Sequence, residues 1–193
     1  MDTIIQWNLQ GMTSAKEDIL QLTEEHKPIV LAFQETFYSN DFKAKIPHYH
    51  GICKQGHFNH RFHGGVALYI HSSCPYQPIN IQTTLQVVAA KIQLHNHRAL
   101  TIASIYIPGR SRLSLADLRN VVAQLPTPYF LLGDFNGHNP IWGGNSIDTR
   151  GRLIEDFITQ ERLNCLNDGR PTHESGSSID LSICTPDIAV DAE

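Results

Sequence analysis

The sequence predicts a single α/β domain, and three observations carry that expectation. The N-terminal part alternates strand, helix and strand. Several apolar runs end in a lone polar side chain, the way strands present functional groups at their C-terminal ends. A chain of 193 residues, 41% of them hydrophobic, is long enough to bury one sizeable core without asking for a second domain.

Residues 3–9 are β-rich, place Asn8 near their end and break at Gly11. A helix is predicted over 13–27, with Thr13 or Ser14 as N-cap, Glu17 completing a capping box with Ser14, and Ile19, Leu20 and Leu22 as its apolar stripe; Pro28 stops it. Residues 29–34 form a near-continuous apolar strand, buried on both faces, that delivers Glu35. Strand–helix–strand requires parallel pairing, so Asn8 and Glu35 are expected on neighbouring strand ends.

Residues 36–63 read as a solvated, loop-rich basic stretch with a short strand at 49–53. His57, His60 and His63 recur every three residues, but without a helical pattern or an acidic partner they do not make a metal site. Gly64 and Gly65 open a strand over 64–71, and further strands are expected over 78–84, 86–94 and 99–106. The last two flank His95–Arg98 as an antiparallel hairpin, and Pro108 leaves Tyr106 near an exposed strand end. Helical spacing appears over 114–124 and again over 151–163, on either side of a buried strand at 128–132. The final strand, 178–184, alternates so that Asp180 shares a face with Ser178 and Ser182; a carboxylate in such a run is costly unless paired.

Tyr129-Phe-Leu-Leu-Gly-Asp-Phe-Asn136 is the most informative stretch. Period-2 geometry puts Asp134 and Asn136 on one face and Phe135 on the other. Taken alone, Gly-Asp-Phe-Asn-Gly fits a turn as well as it fits a functional site. With Asn8, Glu35, Tyr106 and Asp180 at other strand ends, the polar set consists of carboxylates, amides and a phenol. Such oxygen donors suit Mg²⁺ or Mn²⁺ rather than Zn²⁺, and hard cations of that kind meet phosphate. The chemistry indicated is phosphodiester hydrolysis.

Net charge of −4 and a pI near 6.2 exclude nucleic-acid binding by bulk charge, so any such contact is local. Lys43, Lys45, Arg61, Arg110, Arg112 and Arg150 are the candidate basic groups; Arg110, Arg112, His138 and Arg150 are the expected DNA contacts, His138 being more suited to fixing the loop after the central motif. Four well-separated cysteines indicate neither a disulfide framework nor a zinc ribbon. No secretory signal and no membrane-length apolar run is present, so an intracellular, soluble protein is expected.

Gln6-Trp-Asn8, Gln34-Glu35-Thr36, Tyr106-Ile-Pro108, Gly133-Asp-Phe-Asn136 and Ser178-Ile-Asp180 occur in an order that resembles the endonuclease/exonuclease/phosphatase superfamily, specifically the apurinic-like endonuclease domain of non-LTR retrotransposons. Gly137-His-Asn-Pro-Ile-Trp-Gly143 looks like an extension seen in arthropod elements. The resemblance implies a four-layered α/β sandwich of two packed mixed β-sheets with outer helices. It also implies Glu35 as a Mg²⁺ ligand with Asn8 beside it, and Asp134 as the group that positions or deprotonates water. Asn136 and Tyr106 become donors to the scissile phosphate, and Asp180 the acceptor for a catalytic histidine.

One departure stands out. The family pattern closes with Ser-Asp-His, which this chain lacks; none of its 11 histidines takes that place. The expectation is a single, C-terminally incomplete domain over 1–193 that lacks the sandwich's last strand and is impaired as it stands. The leading function is a Mg²⁺-dependent endonuclease that nicks double-stranded DNA to leave a 3′-hydroxyl primer, within a longer reverse-transcriptase polyprotein and in the nucleus when acting on chromosomal DNA. An inactive remnant that at most binds DNA, and a phosphoesterase for small phosphate esters, are the alternatives.

Overall fold

A computed structural model describes residues 2–38, 45–58, 61–62, 64–172 and 178–189. Lys43, His60 and His63 lie outside the described residues, as do the side chains of His57 and Arg61. Strand β1 (Ile4–Asn8) leads through α1 (Lys16–His26) to β2 (Val30–Gln34), and β1 and β2 pair in parallel with Asn8 opposite Gln34. The expected capping box at Ser14 does not form. Ser14 Oγ donates instead to Gly11 O at 2.8 Å, closing the turn that precedes the helix, and Ala15 stands at the N-cap without a side-chain bond. At the other end Lys27 adopts a left-handed conformation and donates to Thr23 O, so the helix ends at His26 with Lys27 as its cap before Pro28.

Strand β3 (Tyr49–Lys54) and the short ribbon of β4 (His57–Phe58) and β5 (Arg61–Phe62) precede β6 (Val66–His71). The first sheet then has the order β1-β2-β6-β3. Strands β7 (Tyr76–Ile79), β8 (Gln86–Gln93) and β9 (Ala99–Tyr106) form a meander, and the β8–β9 hairpin matches the expected one. The strand expected over 78–84 sits earlier. Beyond Ile79 the chain is held by α2 (Leu115–Val122) and the turn after it: Asn120 Nδ2 donates to Gln82 O, and Gln82 N donates to Gln124 Oε1, each at 2.8 Å. Strand β10 (Tyr129–Asp134), α3 (Thr149–Gln160), β11 (Asn164–Cys165), β12 (Asp180–Cys184) and α4 (Pro186–Ala189) complete the described chain. The second sheet runs β11-β12-β10-β9-β8-β7, with β10 parallel to β9 and antiparallel to β12.

Side-chain alternation builds four layers from these two mixed sheets. In β2, Val30 and Ala32 face the second sheet and pack with Val88, Ala90, Ile102 and Leu132. Leu31 and Phe33 point the other way, onto Ile19 of α1. The far face of the second sheet, with Ile105, Leu131 and Ile183, is covered by Leu118 and Val121 of α2 and by Ile154 and Phe157 of α3. Each such fully buried side chain contributes roughly 1.5–3 kcal/mol relative to exposure. The expected four-layered sandwich is therefore what the apolar pattern produces.

Within the second sheet Gly133 of β10 lies directly against the backbone of Ile105 in β9. A Cβ on Gly133 would lie 1.8 Å from Ile105 O, so no other residue fits there without parting the strands. None of the four cysteines forms a disulfide, and Cys74 and Cys184 are buried as core thiols. Among the described residues no helix is long and apolar enough to cross a membrane.

Candidate active site

The C-terminal ends of β1, β2, β9 and β10 and the start of β12 converge at one edge of the sandwich. Register places Asp134 opposite Tyr106 on one side and opposite Asp180 on the other. From the first sheet, Asn8 Nδ2 reaches across to donate to Asp134 Oδ2 at 2.9 Å and to Glu35 Oε1 at 3.0 Å. One amide thus ties together carboxylates carried by different sheets. Tyr106 lies near enough to Glu35 for the carboxylate to act on its phenol. The sequence-predicted residues Asn8, Glu35, Tyr106, Asp134 and Asp180 therefore form one cluster.

Backbone geometry at two of these positions is unusual. Glu35 has φ of 48° and Asn136 has φ of 49°, left-handed values that cost a non-glycine residue on the order of 1–2 kcal/mol. Both are held in place by neighbours. Glu35 O accepts from Gly11 N at 2.8 Å, and Thr36 N donates to Gly65 O at 3.3 Å. Asn136 N donates to Asp134 Oδ1 at 2.8 Å, and Asn136 Nδ2 to Ile107 O at 3.2 Å. The Gly133–Asn136 motif is consequently both a turn and part of the cluster. Period-2 alternation ends at Phe135, which is fully buried under the outer helices, so Asn136 reaches the site through a turn rather than along a strand.

Burial shapes the chemistry. Asp134 is 2% exposed, and desolvation, reinforced by Asp180 and Glu35, pushes its carboxyl up to about 7. Tyr106 is raised well above its ordinary value, first by burial and then by the negative charge of Glu35 and Asp134. With Asp180 and Glu35 both raising the carboxyl of Asp134, the cluster favours positive charge or a shared proton. A cleft of about 470 Å³ adjoins the cluster, with Asn8, Gln10, Asn167, Thr172, Asp180 and Ser182 on its walls. Among the described residues no three His, Cys, Asp or Glu side chains form a closed metal cage. Glu35 and Asp134 are hard oxygen donors of the kind Mg²⁺ takes when water and phosphate complete its shell, whereas Asn8, expected beside the metal, turns its N–H groups toward them and its Oδ1 toward Gln10 N.

Two of the expected DNA contacts have other partners. His138 Nδ1 lies 2.9 Å from Asp148 Oδ2, whose other oxygen accepts from Gly151 N, so His138 fixes the loop as anticipated. Arg150, expected as an open basic group, has its guanidinium directed at five backbone carbonyl oxygens, at distances of 2.7–3.5 Å. Sequence reasoning missed this arrangement because backbone acceptors carry no residue-type signal. Arg110 and Arg112 remain on the 107–113 loop, beside the cluster.

Comparison with known proteins agrees with this fold. Residues 100–193 match the family described as endonuclease-reverse transcriptase. The RNA-directed DNA polymerase from mobile element jockey of Drosophila melanogaster is 25% identical over 88% of the chain, and that of the transposon X-element from the same fly is 20% identical. The chain spans only 18% and 19% of the lengths of these two curated relatives. Among solved structures, the endonuclease domain of a telomere-specific non-LTR retrotransposon superposes with a TM-score of 0.80 at 19% identity, covering 95% of this chain and 85% of that one. A Neisseria 3′ phosphatase bound to a product DNA hairpin gives 0.65 at 17% identity, covering 96% and 88%. An AP endonuclease from Archaeoglobus fulgidus gives 0.64 at 16%, covering 98% and 89%.

Proposed function

We propose, for a chain with the endonuclease/exonuclease/phosphatase fold and an endonuclease-reverse transcriptase family match over residues 100–193, that it hydrolyses phosphodiester bonds in double-stranded DNA and nicks one strand to leave a 3′-hydroxyl. The observation that carries the reading is the Asn8 bridge between Glu35 and Asp134, which brings a metal-type donor set and a buried carboxyl with a raised pKa into one polar cluster beside an open cleft.

Glu35, with Asn8 beside it, would hold a divalent cation of the Mg²⁺ type. When bound, that cation supplies charge neutralisation for the phosphate. Asp134 orients the attacking water and accepts its proton, a role suited to a carboxyl whose pKa lies near neutrality. Tyr106 keeps its proton at neutral pH and donates from the phenol, while the second N–H of Asn136 Nδ2 is free of the bond to Ile107 and can donate to a phosphate oxygen. Asp180 adds negative charge beside Asp134 and keeps its carboxyl from losing its proton too easily.

DNA as substrate and membership of a longer polymerase-bearing polyprotein are supported by the retrotransposon relatives, which are about five times longer, and such a protein acts in the nucleus on chromosomal DNA. A supercoiled-plasmid assay with Mg²⁺ tests the reading: open-circle product with a polymerase-extendable 3′ end is expected, abolished by EDTA. Release of inorganic phosphate from small esters with no open-circle product would replace it with the phosphoesterase reading, and absence of both activities would leave the inactive remnant.

A further inference from the structure

The N-terminus of α3 carries a cation directed at backbone carbonyl groups of two other segments. Arg150 Nη1 donates to Pro108 O at 3.1 Å, to Ile107 O at 3.3 Å and to Phe135 O at 3.5 Å. Its Nη2 donates to Ser111 O at 2.7 Å and to Gly109 O at 3.0 Å. The planar fork therefore spans four residues of the 107–111 loop and the residue that follows Asp134. A guanidinium has the number and spread of donors for this; an ammonium does not.

What the fork holds is part of the site. Ile107 O, one of its acceptors, is also the acceptor of Asn136 Nδ2, and Ile107 N donates to Asp134 O at 2.9 Å. A Cβ on Gly109 would lie 3.4 Å from Asn136 Oδ1, so the loop passes directly over that side chain. Ser111 closes the loop on itself, its N and Oγ both donating to Pro108 O. The loop has no strand or helix of its own to fix it. Its shape depends on a side chain that arrives from some forty residues later.

We propose that Arg150 is a positioning residue: by clamping the carbonyl groups of residues 107–111 and Phe135, it fixes the Asn136 amide against the site and sets the attitude of the loop bearing Arg110 and Arg112, without itself contacting DNA. The proposal rests on the reading of the cluster as a DNA-cutting centre. A DNA phosphate contact at Arg150 makes the opposite prediction, since a phosphate ligand is replaceable by lysine and its loss flattens the salt dependence of binding.

The test compares the intact chain with Arg150→Ala and Arg150→Lys. Amide hydrogen exchange of the 107–113 segment is read first, followed by kcat and KM for nicking of supercoiled plasmid in Mg²⁺ and the salt dependence of plasmid binding. Both variants are expected to exchange faster in 107–113, to keep the salt slope, and to lose kcat by on the order of 10²-fold with little change in KM, the usual cost of a displaced catalytic group. If either variant unfolds, chemical-shift or exchange data on the other decide. Unchanged exchange in both variants overturns the clamp. Faster exchange with full kcat overturns the positioning role, and rescue by lysine with a shallower salt slope in Arg150→Ala overturns it in favour of DNA contact. Absence of nicking by the unaltered chain defeats the DNA-cutting reading instead, and the exchange data then decide the clamp by themselves.

Discussion

Asp134 of β10 stands directly opposite Asp180 of β12 in antiparallel register, so two carboxylates share one strand-pair end. Like charges in that position oppose each other unless a proton or cation intervenes. With the carboxyl of Asp134 held near 7 in the folded state, against roughly 3.9 in the unfolded chain, the fold retains a proton that the unfolded chain has already lost. The group's contribution to stability is thus fully present below about pH 4, declines as pH rises between about 4 and 7, and is constant above. Thermal melts in EDTA across this range should show Tm falling with pH, and Asp180→Asn should make the fall shallower. An unchanged slope in that variant would mean that desolvation acts alone.

Asp134→Ala is expected to reduce nicking by about 10²–10⁴-fold, the usual span for a general acid–base group. Far-UV circular dichroism should not change, because Asp134 ends its strand and takes no part in the apolar packing. Gel quantification of open-circle plasmid measures the loss; activity within a few-fold of the parent would remove Asp134 from the chemistry.

Divalent cation should stabilise the fold. A ligand present at a hundred times its Kd adds about 2.7 kcal/mol, so Mg²⁺ at saturating concentration is expected to raise Tm by several degrees. Glu35→Gln should remove most of that gain while leaving the melt in EDTA close to the parent's. An equal Mg²⁺ shift in both proteins would place the cation elsewhere.

Gly133→Ala tests the close approach of β9 and β10. With its Cβ 1.8 Å from Ile105 O, the added methyl group forces the central pair of the second sheet apart. Overpacking of this kind costs about 1–3 kcal/mol or more. Urea denaturation should show the midpoint shifted down without a change in slope. Nicking should fall further than stability does, because Tyr106 and Asp134 are partners across that same pair.

The parts of the fold legible from sequence were those where residue type and periodicity coincide. The apolar run before Glu35, the hairpin over 86–106 and the strand beginning near Asp180 all carried the polar groups that now meet. Three features were hidden. Ser14 and Glu17 have the letters of a capping box, yet Gly11 O offered Ser14 a nearer acceptor. Strand β11 is two residues long and too short for any periodic signal. Alternation predicts Asn136 on the face of Asp134, whereas a left-handed turn takes it there by another route. Competition among local hydrogen bonds decided the first and last of these, and sequence spacing does not record its outcome.

The start of α3 has an implication for altering target choice. Asp148 caps the helix while gripping His138, and Arg150 grips the 107–111 loop, so two separate surface loops are moored to one short stretch of chain. Gly151 lets that stretch lie close, since a Cβ there would come within 1.9 Å of His138 O. Loops of this protein are therefore not interchangeable modules. A segment transplanted from a relative to 107–113 or to 137–147 would arrive without its mooring unless residues 148–151 travelled with it.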